Sequence, residues 1–312
     1  MTQLIRGLYN IVPRHTGGVI TIGNFDGVHR GHQALIERIK AQAKALNGPS
    51  IVMTFEPQPI EFFSDKSVAR LTRWQEKYCA LAQTGVDYVF VIRFDHNFSR
   101  LSAQEFIKNV LIDGLAVKKI IIGDDFHFGH QREGDFHYLQ TAGKEWGFEV
   151  ESMPSMIAEG ERISSTRIRQ ALAEDNQALA EVLLGHPYQM MGRVVHGDKL
   201  GRQLGFPTAN IFLHRAVTPV QGIYIVRMHG IGNEPLPGVA NVGIRPTVGG
   251  TRSLLEVYLF NFNTDIYGRH VRVEFCKKLR AEERYTNLDL LKEAIAKDAA
   301  QARNYFEERG EL

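Results

Sequence analysis

The run Val19-Ile20-Thr21-Ile22-Gly23-Asn24-Phe25-Asp26-Gly27-Val28-His29-Arg30-Gly31-His32 leads an apolar segment through a glycine-rich turn into a helix. Val19 to Ile22 is short and continuously apolar apart from Thr21, as expected of a strand buried on both faces. From His32 onward Leu35, Ile36, Ile39, Ala43 and Leu46 share one helical face, and Asn47-Gly48 closes it. Three glycines between Gly23 and Gly31 let the backbone turn sharply and approach a ligand closely. The helix N-terminus that follows offers free N–H groups and partial positive charge, which suits phosphate. His29 and His32 flank Gly31 and can donate to phosphate oxygens from adjacent directions, as a pentacoordinate phosphorus under attack requires. On residue types alone two other readings stay open. One is a glycine-rich turn with two exposed histidines; the other is a zinc site, for which His-x-x-His supplies two ligands and no obvious third. Neither the Walker phosphate loop nor Gly-x-Gly-x-x-Gly occurs here, so nucleotide must be bound by other means.

The same alternation repeats outward from this turn. Ile51 to Phe55, Tyr88 to Ile92 and Lys119 to Ile122 read as further strands. Thr72 with Gln75 reads as a capping box for a helix that buries Trp74, Tyr78 and Leu81 and stops at Gly85, and Ser102 with Glu105 opens another. Strands alternating with helices predict a parallel sheet covered on both faces, with ligands at the carboxyl ends of its strands. Two short helices follow Ser164 and end at Leu184-Gly185. From Tyr188 the pattern changes to strand-like runs broken by Gly, Pro and Asn: Met190 to His196, Gly222 to Met228, Leu254 to Phe260 and Val271 to Phe275. An amphipathic helix over Leu288 to Phe306 closes the chain. The expected fold class is α/β, with an N-terminal Rossmann-like parallel-sheet domain over residues 1–185 and a small antiparallel β-barrel with a terminal helix over 186–312.

Composition narrows the function classes. The 312 residues carry 37 basic and 35 acidic side chains, a net charge of +2, without a long basic run. That balance argues against a broad nucleic-acid surface and leaves room for local pockets that take phosphorylated small molecules. Cys79 and Cys276 are the only cysteines, too few for a disulfide framework or a cysteine zinc site. Met1 to Val12 lacks the apolar core of a signal peptide, and no apolar run approaches a membrane span, so a cytoplasmic location is expected with no membrane partner.

The second half has its own constellation, Gly197-Asp198-Lys199-Leu200-Gly201-Arg202-Gln203-Leu204-Gly205-Phe206-Pro207-Thr208-Ala209-Asn210. Its glycines, Gly197, Gly201 and Gly205, make a flap that can wrap a nucleotide, with Lys199 and Arg202 available for its charge. Pro207 favours extended chain before Thr208. Thr208 and Asn210, two apart on an extended segment, point the same way, and their oxygens are hard ligands suited to Mg²⁺ beside phosphates. A polar barrel loop is the plainer alternative. Glu256 shares a strand face with Leu254 and Tyr258; it reads either as a solvated glutamate or as a general base among apolar neighbours.

Together these runs resemble a known family. His29-Arg30-Gly31-His32 matches the His-x-Gly-His signature of nucleotidyltransferases, and Asn24-Phe25-Asp26-Gly27 narrows it to the adenylyltransferase module of bacterial bifunctional riboflavin kinase/FAD synthetases. Phe55-Glu56-Pro57, Gly123-Asp124-Asp125-Phe126-His127-Phe128-Gly129 and Ile163-Ser164-Ser165-Thr166-Arg167-Ile168-Arg169 extend the resemblance across the first half. Gly205-Phe206-Pro207-Thr208-Ala209-Asn210, Gly238 to Thr247 and Asp265-Ile266-Tyr267-Gly268 resemble riboflavin kinases. The resemblance implies a Rossmann-like nucleotidyltransferase domain that converts FMN and ATP into FAD, and a barrel that phosphorylates riboflavin with ATP and Mg²⁺. ATP phosphates would then meet Gly23, Asn24, Phe25, Gly31, Ser164, Ser165, Thr166 and Arg167 in the first half, with His29 and His32 catalytic. In the barrel they would meet Gly197, Lys199, Gly201, Arg202, Gly205 and Pro207, with Thr208 and Asn210 binding Mg-ATP and Glu256 deprotonating the ribityl hydroxyl. Asp26, Phe55, Asp124, Phe126 and Phe128 are the candidates for flavin contact. His127 stands where arginine is common in the family, and Tyr258 where histidine is frequent. The competing reading keeps the first module as a nucleotidyltransferase for another phosphate acceptor and makes the barrel a non-catalytic flavin- or RNA-binding module.

Overall fold

Six strands make the sheet of the N-terminal half: β1 (Gln3–Arg6), β2 (Val19–Ile22), β3 (Ser50–Glu56), β4 (Tyr88–Arg93), β5 (Lys119–Gly123) and β6 (Glu149–Met153). They run parallel in the order β1-β4-β3-β2-β5-β6. The structure is a computed structural model and describes residues 1–64, 68–197, 200–215, 217–247 and 250–312. β2, β3, β4 and β5 lie where the apolar runs predict them, because burial on both faces leaves a continuous hydrophobic stretch. β1 and β6 are the outermost strands and were not foreseen. Each has a solvent-facing side, and only Ile5 of β1 is buried, so neither leaves a clear period in the sequence. One face of the sheet packs Ile20, Ile22, Met53 and Phe90 against Phe106 and Val110; the other packs Val19, Val52 and Val89 against Ile36 and Ile39 of the helix Arg30–Ala45. The chain passes from β2 to β3 on one side and returns to β5 on the other. The carboxyl end of β2 is therefore the topological switch point where such sheets form a crevice.

One cap differs from the expectation. The helix Trp74–Gln83 begins after Arg73, and the Glu76 carboxylate accepts the Arg73 N–H at 2.6 Å, so Glu76 closes the first turn and Gln75 does not. Thr72 is engaged elsewhere, on Asp26 and Gly27. A short hairpin, β7 (Ile157–Ala158) and β8 (Glu161–Arg162), follows β6.

The C-terminal half is a closed antiparallel barrel of β9 (Gln189–Val195), β10 (Thr208–Phe212), β11 (Gly222–His229), β12 (Leu236–Thr247), β13 (Gly250–Leu259) and β14 (His270–Arg280), ordered β10-β13-β12-β11-β14-β9. β10 and β12 are additions to the four expected strands. β10 opens with Thr-Ala-Asn, and β12 contains Pro237, Gly238, Gly243 and Pro246, which read locally as turn residues. Closure of the barrel supplies both strands with partners and overrides that local signal. Leu255, Val257, Val242, Ala240, Tyr224 and Phe275 are buried, while Leu254, Glu256 and Tyr258 take the opposite face of β13. The helix Leu288–Glu307 covers part of that outer face through Ala299, Ala302 and Phe306, packed on Ile225, Val239 and Tyr258.

By its contacts the chain divides into two compact units, Met1–Val68 with Thr72–Ser165, and Ala69–Leu71 with Thr166–Leu312. The helix Gln177–Leu184, ended by left-handed Gly185, thus groups with the barrel. So does the short stretch Ala69–Leu71, where Tyr188 Oη donates to the Leu71 carbonyl at 3.2 Å and Arg215 Nη1 to the Arg70 carbonyl at 2.7 Å.

Candidate active sites

The loop after β2 is built by strained backbone. Phe25 and Val28 are left-handed at φ 48° and 42°, and Gly27 lies between them at φ 81°. A β-branched residue in that region is held only by surrounding structure. The hold is visible: Asp26 is buried, its Oδ1 accepts the Thr72 N–H at 2.9 Å and the Thr72 hydroxyl at 3.1 Å, and Thr72 Oγ1 accepts the Gly27 N–H at 2.9 Å. Ser165 Oγ donates to the Asp26 carbonyl at 2.8 Å.

His29 caps the helix Arg30–Ala45, its Nδ1 accepting the His32 N–H at 3.4 Å. Its ring stacks on His32 with centroids 3.6 Å apart, and a Cβ on Gly31 would come within 3.3 Å of it. Burial pushes His29 down to about 4, against the opposing pull of Asp26 and with help from Arg162. Burial first, then His29 and Lys77, hold His32 well below the usual imidazole range. Both rings are therefore neutral at pH 7. With Nδ1 of His29 used as an acceptor, its proton sits on Nε2 and is free to be donated. A neutral donor pair suits charge that develops on a phosphoryl group. Among the described residues no cluster of three His, Cys, Asp or Glu is placed to hold a metal, so the His-x-x-His zinc reading finds no third ligand there.

In the barrel, register assembles the second site. Asn210 pairs with Glu256 across β10 and β13, and Thr208 pairs with Tyr258. Thr208 and Asn210 share one face of β10, as their spacing requires, and it is the face that carries Glu256. Two flap glycines lie directly on them. A Cβ on Gly197 would fall 2.4 Å from Asn210 Nδ2, and one on Gly201 would fall 2.4 Å from the Phe206 carbonyl and 3.3 Å from Thr208 Oγ1. Gly205 takes φ 89° at the end of the short helix Leu200–Gln203. Arg202 and Pro207 are exposed; Lys199 lies outside the described residues.

A cavity of about 330 Å³ opens in the first unit, walled by Phe63, Phe94, Phe98, Leu101 and Phe106 with Arg132 at its polar side. That size falls within the range of small-molecule sites.

A family model described as FAD synthetase matches residues 12–167, and one described as riboflavin kinase matches residues 184–306. A protein of Escherichia coli K12 named bifunctional riboflavin kinase/FMN adenylyltransferase is 55% identical over 97% of this chain and 98% of its own length. The chain belongs to the bifunctional riboflavin kinase/FMN adenylyltransferase family. A Haemophilus influenzae protein of the same name is 49% identical over 97% of this chain and 99% of its own. A solved structure from Streptococcus pneumoniae, described as a macrolide-efflux protein, superposes with a TM-score of 0.82 at 32% identity over 97% of this chain and 99% of its own. Neither family model carries an efflux description, and among the described residues no helix is long and apolar enough to cross a membrane.

Within this family frame the structure gathers most of the expected first-unit residues around the β2 loop. Gly23, Asn24, Phe25, Gly31, His29 and His32 lie on it, and Ser165 is bonded to it. Ser164 is half-buried in the same unit, whereas Thr166 and Arg167 begin the second unit. The flavin candidates are spread more widely. Asp26 has its carboxylate on Thr72, and exposed Asp124 accepts from the Ser155 hydroxyl at 2.7 Å. Phe55 packs on Phe94 and Phe98, and Phe128 on Phe106 and Phe126, and neither lines the cavity. Sequence reading missed Phe63, Phe94, Phe98 and Phe106, which carry no motif; the density of phenylalanine between Phe55 and Phe106 was the available signal. It also missed Arg162, which pairs with Asp125 at 2.7 Å and bears electrostatically on His29.

Proposed function

We propose that this chain makes both flavin cofactors in sequence, and that the residues assembled above carry the two reactions. In the barrel the terminal ribityl hydroxyl of riboflavin attacks the γ-phosphorus of ATP, Glu256 takes the hydroxyl proton, and ADP leaves with FMN formed. In the first unit a phosphate oxygen of FMN attacks the α-phosphorus of a second ATP and pyrophosphate leaves, giving FAD. No enzyme nucleophile is needed for that step; the unit must hold two polyanions together and stabilise growing charge. His29 Nε2 and His32 donate to it, with Ser164 and Ser165 as phosphate ligands within the same unit. The observation that carries this reading is that register puts Glu256 beside Asn210, beneath a glycine flap, in a chain whose other unit presents two stacked neutral histidines.

Thr208 and Asn210 fit a magnesium ion that arrives with ATP: both offer neutral hard oxygens, Asn210 is buried, and Glu256 is adjacent. Bound there, Mg²⁺ would neutralise phosphate charge while Gly197, Gly201 and Gly205 let the flap approach. The aromatic cavity suits the isoalloxazine ring of FMN, with Arg132 at its polar side. The functional division is proposed at 1–185 and 186–312, with the action cytoplasmic and on small molecules alone.

Riboflavin with Mg-ATP and the full chain is the test: FMN should appear first and FAD second on thin-layer separation. FAD formed from supplied FMN, with no FMN formed from riboflavin, would reduce the barrel to a binding module. Fragment 186–312 alone should phosphorylate riboflavin; a folded but inactive fragment would move the functional boundary upstream, towards the structural division after Ser165.

A further inference from the structure

The Asn210–Glu256 row does not stop at Glu256. Asn241 on β12 pairs with Glu256 from the other side, and the row runs on through Ile223 to Arg280 on β14. In-register neighbours on adjacent strands share a face, with Cβ atoms about 4.5–5.5 Å apart. Glu256 is thus flanked by two carboxamides, only one of which belongs to the expected magnesium and nucleotide set.

Asn241 is half-buried, and the two ends of its carboxamide differ. Its Nδ2 donates to Glu282 Oε1 in a long contact of 3.4 Å, and its Oδ1 is buried without a hydrogen-bond partner among the described residues. Glu282 reaches over the strand here: a Cβ on Gly243 would lie 2.6 Å from Glu282 Oε1. A carboxylate only accepts, so it selects the NH₂ side of the amide and leaves the oxygen turned away. A buried amide oxygen with no donor is costly, and a substrate hydroxyl would relieve that cost.

Riboflavin carries a chain of vicinal hydroxyls. We propose that Asn241 is a specificity residue of the phosphorylation step, its Oδ1 accepting a hydrogen bond from the 4′-hydroxyl and so setting the terminal 5′-hydroxyl against Glu256. The proposal rests on Glu256 being the base. It assigns the three residues of the row separate tasks: Asn210 faces the nucleotide, Glu256 the reacting hydroxyl, and Asn241 the neighbouring hydroxyl that tells a polyol from a simple alcohol. A site built to bond a hydroxyl rejects the analogue that lacks it.

The test compares kcat/KM for riboflavin and 4′-deoxyriboflavin in the full chain. The parent should prefer riboflavin by roughly 10–10², the cost of leaving one buried acceptor unpaired. In Asn241→Ala that preference should collapse to within about threefold, riboflavin losing and the deoxy analogue barely changing. Asn241→Ser, a milder change for the fold, should show the same collapse in part. A packing role would lower both substrates equally and leave the ratio at its parental value in both variants, which overturns the assignment. Glu256→Gln separates this failure from that of the underlying reading: it should depress kcat for both substrates by one common factor, and normal turnover there overturns the base assignment on which the proposal stands.

Discussion

The two sites of this molecule are built by opposite means. In the first unit the chemistry is concentrated between Gly23 and His32, where a left-handed Phe25, Gly27 and Val28 fold a few residues into a cradle at the end of β2. In the barrel it is dispersed over β10, β12 and β13, and no short stretch contains it; Asn210, Glu256 and Asn241 meet only because three strands are in register. A contiguous site tolerates changes elsewhere as long as its own turn is held, here by Asp26 and Thr72. A register site depends on every strand keeping its place, since a slip of one residue turns Glu256 from the outer face to the interior.

The contrast is tested most severely by removing one group from each side. Glu256→Gln keeps the shape of the row and should lower FMN formation by roughly 10²–10⁴, the usual worth of a positioned base. FAD formation from supplied FMN should stay at the parental rate, because that chemistry lies in the other unit. A parental rate of FMN formation would return Glu256 to a solvated strand position. Next in size, His29→Ala or His32→Ala should lower FAD formation by about 10²–10³. FMN should then accumulate from riboflavin, and an equal fall in FMN formation would show that the two sites do not work independently.

A change of one methyl group sharpens the same comparison. Gly197→Ala places a carbon 2.4 Å from the buried Asn210 amide, which must swing aside. Misplacement on that scale can cost on the order of 10² in rate, so kinase kcat/KM should fall by about that factor with thermal stability little changed. A variant with unaltered kinetics would mean that the flap does not rest on Asn210 in the working enzyme.

The last effect concerns stability and belongs to the first site alone. His29 is held at about 4 when folded and returns to about 6.5 when unfolded. Between those values the unfolded chain binds more protons, so lowering the pH through this window favours unfolding. The His29 contribution amounts to about 3 kcal/mol across the window, and His32 acts in the same direction. Denaturant titrations at pH 7 and pH 4.5 should show a larger loss for the parent than for His29→Ala. Equal losses would place the proton uptake elsewhere.

The parallel sheet, the barrel with its terminal helix and the residues of the β2 loop were legible along the chain, because a strand buried on both faces and a glycine-rich turn leave local marks. Thr208, Asn210 and Glu256 were legible too, as single candidates. What they are to one another follows from strand pairing alone. Pairing brings Asn210 and Asn241 to either side of Glu256, and pairing between distant segments has no local signature. The same holds for β10 and β12, whose polar and proline-bearing sequences become strands once the barrel closes on them. It holds for Thr72, which looks like a helix cap and instead anchors Asp26, because the hydrogen bond across the fold is available only after the sheet brings the two loops together. The aromatic cavity was invisible for the same reason: Phe63, Phe94, Phe98 and Phe106 belong to no motif, and only the fold leaves a space between them.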